Sequence, residues 1–138
     1  MSRQIFVNLP VQDLAPATTF YAAVGAVRNP QFSDGTAACM VISETVFVML
    51  LTHARWATFT QKPIVDAHRE SEVMLALSCS SRAEVDKLAD AAGAAGGKAD
   101  VNPKQDLGFM YGRSFEDVDG HIWEVFCMDM SQMPDGQP

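Results

Sequence analysis

The chain has 138 residues, 48% hydrophobic and 20% charged, the balance of an ordinary folded domain with enough apolar material for a proper core. Its formal charge of −7 leaves no basic stripe to neutralise phosphates, which argues against nucleic acid and membrane as partners and toward a small molecule or a second subunit. Cys39, Cys79 and Cys127 stand far apart inside apolar runs, as small buried hydrophobes rather than a disulfide framework or zinc knuckle; with no signal peptide and no run of about 20 apolar residues, a cytoplasmic chain is expected.

The opening "IFVNLPVQDL" predicts a short strand running into a helix. Asp13 is placed to cap that helix and Pro16 is tolerated in its first turn, while Leu14, Ala17, Phe20, Tyr21 and Val24 make one apolar stripe that Gly25 ends. Two strands are expected at 37–43 and 46–52, joined by a Glu-Thr turn. A weaker strand signal lies near 27–32. The N-terminal module then spans about 3–55, followed by a polar connector at about 56–70 that can hold a helical turn and lie over a pocket.

The C-terminal module, about 71–130, repeats the plan. "EVMLALSCS" reads as a strand, Ser81 with Glu84 as a capping box, Val85, Leu88, Ala89 and Ala92 as one helical face, and Gly96-Gly97 as the stop. A constant offset of 68 residues carries Leu9 onto Leu77, Asp13 onto Ser81, Phe20 onto Leu88 and Gly25 onto Gly93. After a faint strand near 98–102, "GFMYGRSF" at 108–115, the turn "EDVDG" and "HIWEVFCM" at 121–128 form an Asp-Gly hairpin. The tail, 131–138, is expected to fray.

Each half thus reads β-α-β-β-β. With the opening "LPVQDLAPATTFY" and the hairpin "EDVDGHIWE", the stretch 3–128 resembles the vicinal oxygen chelate superfamily of glyoxalases, extradiol dioxygenases and bleomycin, fosfomycin and mitomycin resistance proteins. The resemblance implies an α+β fold of two βαβββ modules whose mixed sheets curve into a glyoxalase/bleomycin resistance-like cup. Metal-dependent members hold a divalent ion there with four side chains from the first and last strand of each module. Those positions fall here on Phe6, Met49, Met74 and Glu124.

A phenyl ring donates nothing, and thioethers are soft ligands ill matched to zinc, magnesium, nickel or iron. Three of the four positions therefore depart from the metal-binding pattern, and no cofactor is expected; a divalent metal at a shifted set of His53, Glu72 and Glu124 is the alternative. His53, His68 and His121 each read first as surface imidazoles.

An isolated acid on a strand needs a partner. Taking the Asp-Gly turn as a two- or four-residue loop places Arg113 and Phe115 on the same face as Ile122, Glu124 and Phe126, with Arg113 beside or diagonal to the carboxylate. The expected ligand-binding set is Phe6, Asn8, Phe47, Met49, Met74, Arg113, Phe115, Glu124 and Phe126, with Glu124 as the catalytic candidate. Met110, Tyr111 and the 56–59 segment would rim the cup.

The leading expectation is a metal-free binder of a small apolar or aromatic molecule, paired as a homodimer whose barrel forms within one chain or by module exchange. Its rivals are a metal-dependent glyoxalase-like lyase, isomerase or dioxygenase, metal-free acid/base chemistry at Glu124, and a dimeric scaffold without a ligand.

Overall fold

In the computed structural model, which describes residues 2–132, the first module runs β1 (Ile5–Val11), α1 (Leu14–Ala23), β2 (Val27–Asn29), β3 (Ala37–Val41) and β4 (Val46–Thr52). The connector opens with the short helix α2 (His53–Trp56), capped by the Thr52 hydroxyl. The second module runs β5 (Met74–Ser78), α3 (Arg82–Ala94), β6 (Lys98–Ala99), β7 (Gln105–Asp106), β8 (Met110–Glu116) and β9 (Ile122–Met128). Met130–Gln132 form a 3-10 turn, and the remainder of the expected frayed tail, 133–138, lies outside the described residues. None of the described helices is long and apolar enough to cross a membrane.

The two sheets share one plan. The first is ordered β1-β4-β3-β2 and the second β5-β9-β8-β6, with β7 also on β8; β1/β4 and β5/β9 are parallel and the other pairings antiparallel. Both helix starts follow the cap signals: Asp13 accepts the Ala15 N–H (3.2 Å), and the Ser81 hydroxyl accepts the Glu84 N–H (3.1 Å).

Alternation along each strand sends one set of side chains to the helices. Leu9, Val11, Met40, Val48, Leu50, Phe115, Trp123 and Val125 join Phe20, Tyr21, Val85 and Ala92 in one core that spans both modules. Phe20 of α1 packs on Phe115 of β8 (5.9 Å between centroids) and Tyr21 on Trp123 of β9 (6.1 Å). The helices of both modules therefore lie between the sheets, and the opposite sheet faces point outward. Between the alternatives of a cup within one chain and one made by module exchange, this arrangement closes neither outer face with the opposite sheet among the described residues. Phe6 and Met74 are each at least half exposed there.

Candidate functional site

Glu124 sits mid-strand on the outer face of the second sheet, opposite Ala76 on β5 and Ser114 on β8. Two small neighbours leave the carboxylate room. Around it is a cavity of about 260 Å³ with Met110, Gly112, Phe126 and Met128 on its walls. Ser114 is already engaged, its Oγ accepting the Asn102 N–H (2.8 Å) and donating to the Asn102 carbonyl (3.3 Å). Among the described residues Glu124 has no hydrogen bond or ion pair, so a half-buried acid lies in an apolar half-cup with its acceptor capacity unspent.

Arg113 does not supply the expected partner. It stands opposite Val125 and Phe115 opposite Trp123, so both face the helices rather than the cup. The cause is loop length: five residues, 117–121, separate the last register pair, Glu116 and Ile122, and an odd loop reverses the parity that a two- or four-residue turn would give. Asp117 sets this loop. It is 2% exposed, and one of its oxygens accepts the N–H groups of Asp119 and His121 (2.9 Å each). The other accepts the Tyr21 hydroxyl, which in turn receives the Trp123 Nε1–H (2.9 Å). Burial, then the Asp117 charge beside it, pushes the Tyr21 phenol well above its ordinary range.

Arg113 is buried instead among carboxylates of the second module. Its guanidinium donates twice to Asp100 (2.8 and 3.0 Å) and once to Asp86 (3.1 Å), with Asp90 at 3.1 Å. Asp100 is held below the usual carboxylate range chiefly by the Arg113 hydrogen bonds, and Asp86 by those of Tyr111 and then Arg113.

The first sheet's outer face carries Phe6 stacked on Phe47 (centroids 4.5 Å apart, planes 10° apart) and, two residues on, Asn8 opposite Met49. The equivalence of Met49 and Glu124 holds in the ladders, since Met49 pairs with Asn8 and Glu124 with Ala76, 68 residues later. Phe6, Asn8, Phe47 and Met49 thus occupy one outer face and Met74, Glu124 and Phe126 the other. Asn8 also borders a different cavity of about 270 Å³, under connector residues Trp56 and Ile64.

The residues at the family's metal positions do not fit a hard divalent ion, since Phe6, Met49 and Met74 add no oxygen or imidazole donor to Glu124. Nor does the shifted set assemble in this chain: His53, Glu72 and Glu124 line three separate cavities. Among the described residues no three His, Cys, Asp or Glu side chains are placed to hold a metal.

The connector is clamped over the edge of both modules. Gly120, at φ +92°, lies so close to the chain at Ala67 and His68 that a Cβ there would come within 2.6 Å of the His68 nitrogen. Asp119 Oδ1 accepts the Gln12 N–H (2.9 Å), and His121 Nε2 donates to the Pro10 carbonyl (2.8 Å). Burial raises the Asp119 carboxyl, whose second oxygen is enclosed without a partner among the described residues.

Sequence reading missed Ala76, Gly112 and Ser114 as the small residues that open space beside Glu124, and Asp117 as the loop's anchor. The signal for Asp117 was the first acid of "DVDG", which can fold back onto N–H groups two and four residues ahead.

A family model described as Glyoxalase/Bleomycin resistance protein/Dioxygenase superfamily matches residues 3–125. No curated protein matches the chain. Among solved structures, a hypothetical protein, SA1046, from S. aureus is 28% identical over 92% of this chain and 94% of its own, with a TM-score of 0.76. A glyoxalase-related enzyme from Fulvimarina pelagi is 19% identical (92% and 88% covered, TM-score 0.74), and the fosfomycin resistance protein FosX from Listeria monocytogenes is also 19% identical (92% and 91%, TM-score 0.65). The last two share the fold.

Proposed function

The chain belongs to the glyoxalase/bleomycin resistance/dioxygenase superfamily, and within it we propose a protein that binds a small, partly apolar or aromatic molecule without a resident metal ion. The observation that carries this reading is the unpartnered Glu124 carboxylate between Ala76 and Ser114 in an apolar half-cup. A guest with an aromatic body and an O–H or N–H donor satisfies both parts. Its charge-assisted hydrogen bond to Glu124 would contribute about 1.5–3 kcal/mol once water is excluded.

Water is excluded when a second copy closes the cup. The Phe6–Phe47 stack and Met49 of one protomer, set over Met74, Glu124 and Phe126 of the other, give a homodimer with two composite cups. The half-exposed Phe6 and Met74 would each gain about 1 kcal/mol from the burial still open to them.

The test is a thermal-shift panel of aromatic amines, phenols and hydrocarbons of similar size, with metal analysis of protein purified without chelator. Donor-bearing guests are expected to raise the melting temperature, and Glu124→Gln to weaken them about tenfold or more while shifting the stability of the free protein by less than about 0.5 kcal/mol. One tightly held ion per chain, lost in Glu124→Gln, would replace binding with the metal-dependent enzyme reading.

A further inference from the structure

The second module holds two thiols side by side that the cup does not use. Cys79 directly follows the last register pair of β5 and β9, Ser78 opposite Phe126, and Cys127 is the next residue along β9. The strands have not separated at that point, because the Cys79 N–H still donates to the Phe126 carbonyl at 2.6 Å. Parity places both on the helix side with Leu75, Leu77, Trp123 and Val125, and both pack partly buried against the core. Neighbouring strands run about 4.8 Å apart, inside the roughly 4.4–6.8 Å between Cα atoms that a disulfide spans.

The surroundings suit thiol chemistry. Cys79 lines a groove of about 490 Å³ between α1 and α3, and Cys127 is itself only partly buried. Cys127 lies opposite Tyr111, whose ring carries the Arg82 guanidinium at 4.8 Å, and Arg82 is within electrostatic reach of the Cys127 sulfur. The thiolate is the reactive form of either thiol. At Cys79 burial, then the Glu84 carboxylate, pushes the thiol up to about 11.

We propose that Cys79 and Cys127 form a reversible disulfide with a small-molecule disulfide as oxidant. The Cys127 thiolate attacks one sulfur of oxidised glutathione and expels a glutathione thiolate. Cys79 then gives up its proton and attacks Cys127 in the mixed disulfide, expelling the second thiolate. Two protein S–H bonds are lost and one S–S bond is formed; the two protons and two electrons leave as two reduced glutathione molecules. The bridge joins the strands that set Ala76 beside Glu124, so oxidation stiffens a wall of the half-cup while Cys39, buried in the first sheet, stays reduced.

Reduced protein incubated with oxidised glutathione is expected to go from three free thiols per chain to one, to lose the mass of two hydrogens, and to yield a Cys79–Cys127 linked peptide. Its melting temperature should rise by about 5 °C or more and return with dithiothreitol. Cys39→Ser should still form the bridge, whereas Cys127→Ser should keep both remaining thiols free. Three free thiols after oxidation, a lasting glutathione adduct, or a link through Cys39 or between chains would overturn the proposal, and the wild-type peptide map decides it even if a variant fails to fold.

Discussion

Tyr21 shows how much one hydroxyl can hold. It donates a hydrogen bond to Asp117, accepts one from Trp123, and so ties α1 of the first module to the hairpin of the second through three buried side chains. Tyr21→Phe keeps the ring packing and removes only the oxygen, leaving the Trp123 N–H and one Asp117 oxygen buried without partners. A buried polar group left unsatisfied costs about 1–3 kcal/mol, so urea unfolding should show a loss of about 2–3 kcal/mol at an unchanged m value. A loss below about 0.5 kcal/mol would mean that the hydroxyl does not tie the modules. Arg113 behaves differently: its carboxylate partners reach solvent, so much of what it contributes is to place a charge that would otherwise be stranded in the core.

At the scale of elements, cap chemistry and periodicity made the helices and long strands legible. Asp13 and Ser81 begin the helices as their residue types require, and the 68-residue offset foretold that Phe6 and Met74 would occupy equivalent places. The hairpin was legible but its register was not, because an Asp-Gly pair reads as a tight turn when neighbouring residues only have to reverse the chain. Here Asp117 has to satisfy Asp119, His121 and Tyr21 at once, and that demand lengthens the loop by the odd residue that turns Arg113 and Phe115 away from Glu124. The same loop makes Gly120 a clamp on the connector. Gly120→Ala adds a methyl 2.6 Å from the His68 nitrogen at a φ that L residues avoid. The expected cost is about 2–3 kcal/mol, with faster amide hydrogen exchange at His68, Arg69 and Glu70, whose N–H groups are held by Asp66. Unchanged exchange there would show that the connector is held by something other than the hairpin.

For the whole molecule, alternation could not say which sheet faces meet, because both faces of β1 and β4 are apolar: Phe6 and Phe47 on one side, Val7 and Val48 on the other. The choice fell to the helices, which carry Phe20 and Tyr21 into the gap between the modules and leave the aromatic stack outside. An outer face with Phe6 50% and Met74 57% exposed is a poor surface for a lone chain and a good one for a symmetric pair. Phe6→Glu separates the two. In an isolated chain the substitution falls on a half-exposed position and costs little, whereas in the proposed dimer it buries an unpaired carboxylate twice, once per composite cup. Sedimentation should find wild-type dimer and a variant whose dissociation constant has risen by about 100-fold or more, with unchanged circular dichroism. Because the cup would need both copies, the variant should also lose the guest-induced rise in melting temperature although Glu124 is untouched. A wild-type monomer that binds the same guests would place the site within one chain and remove the partner from it.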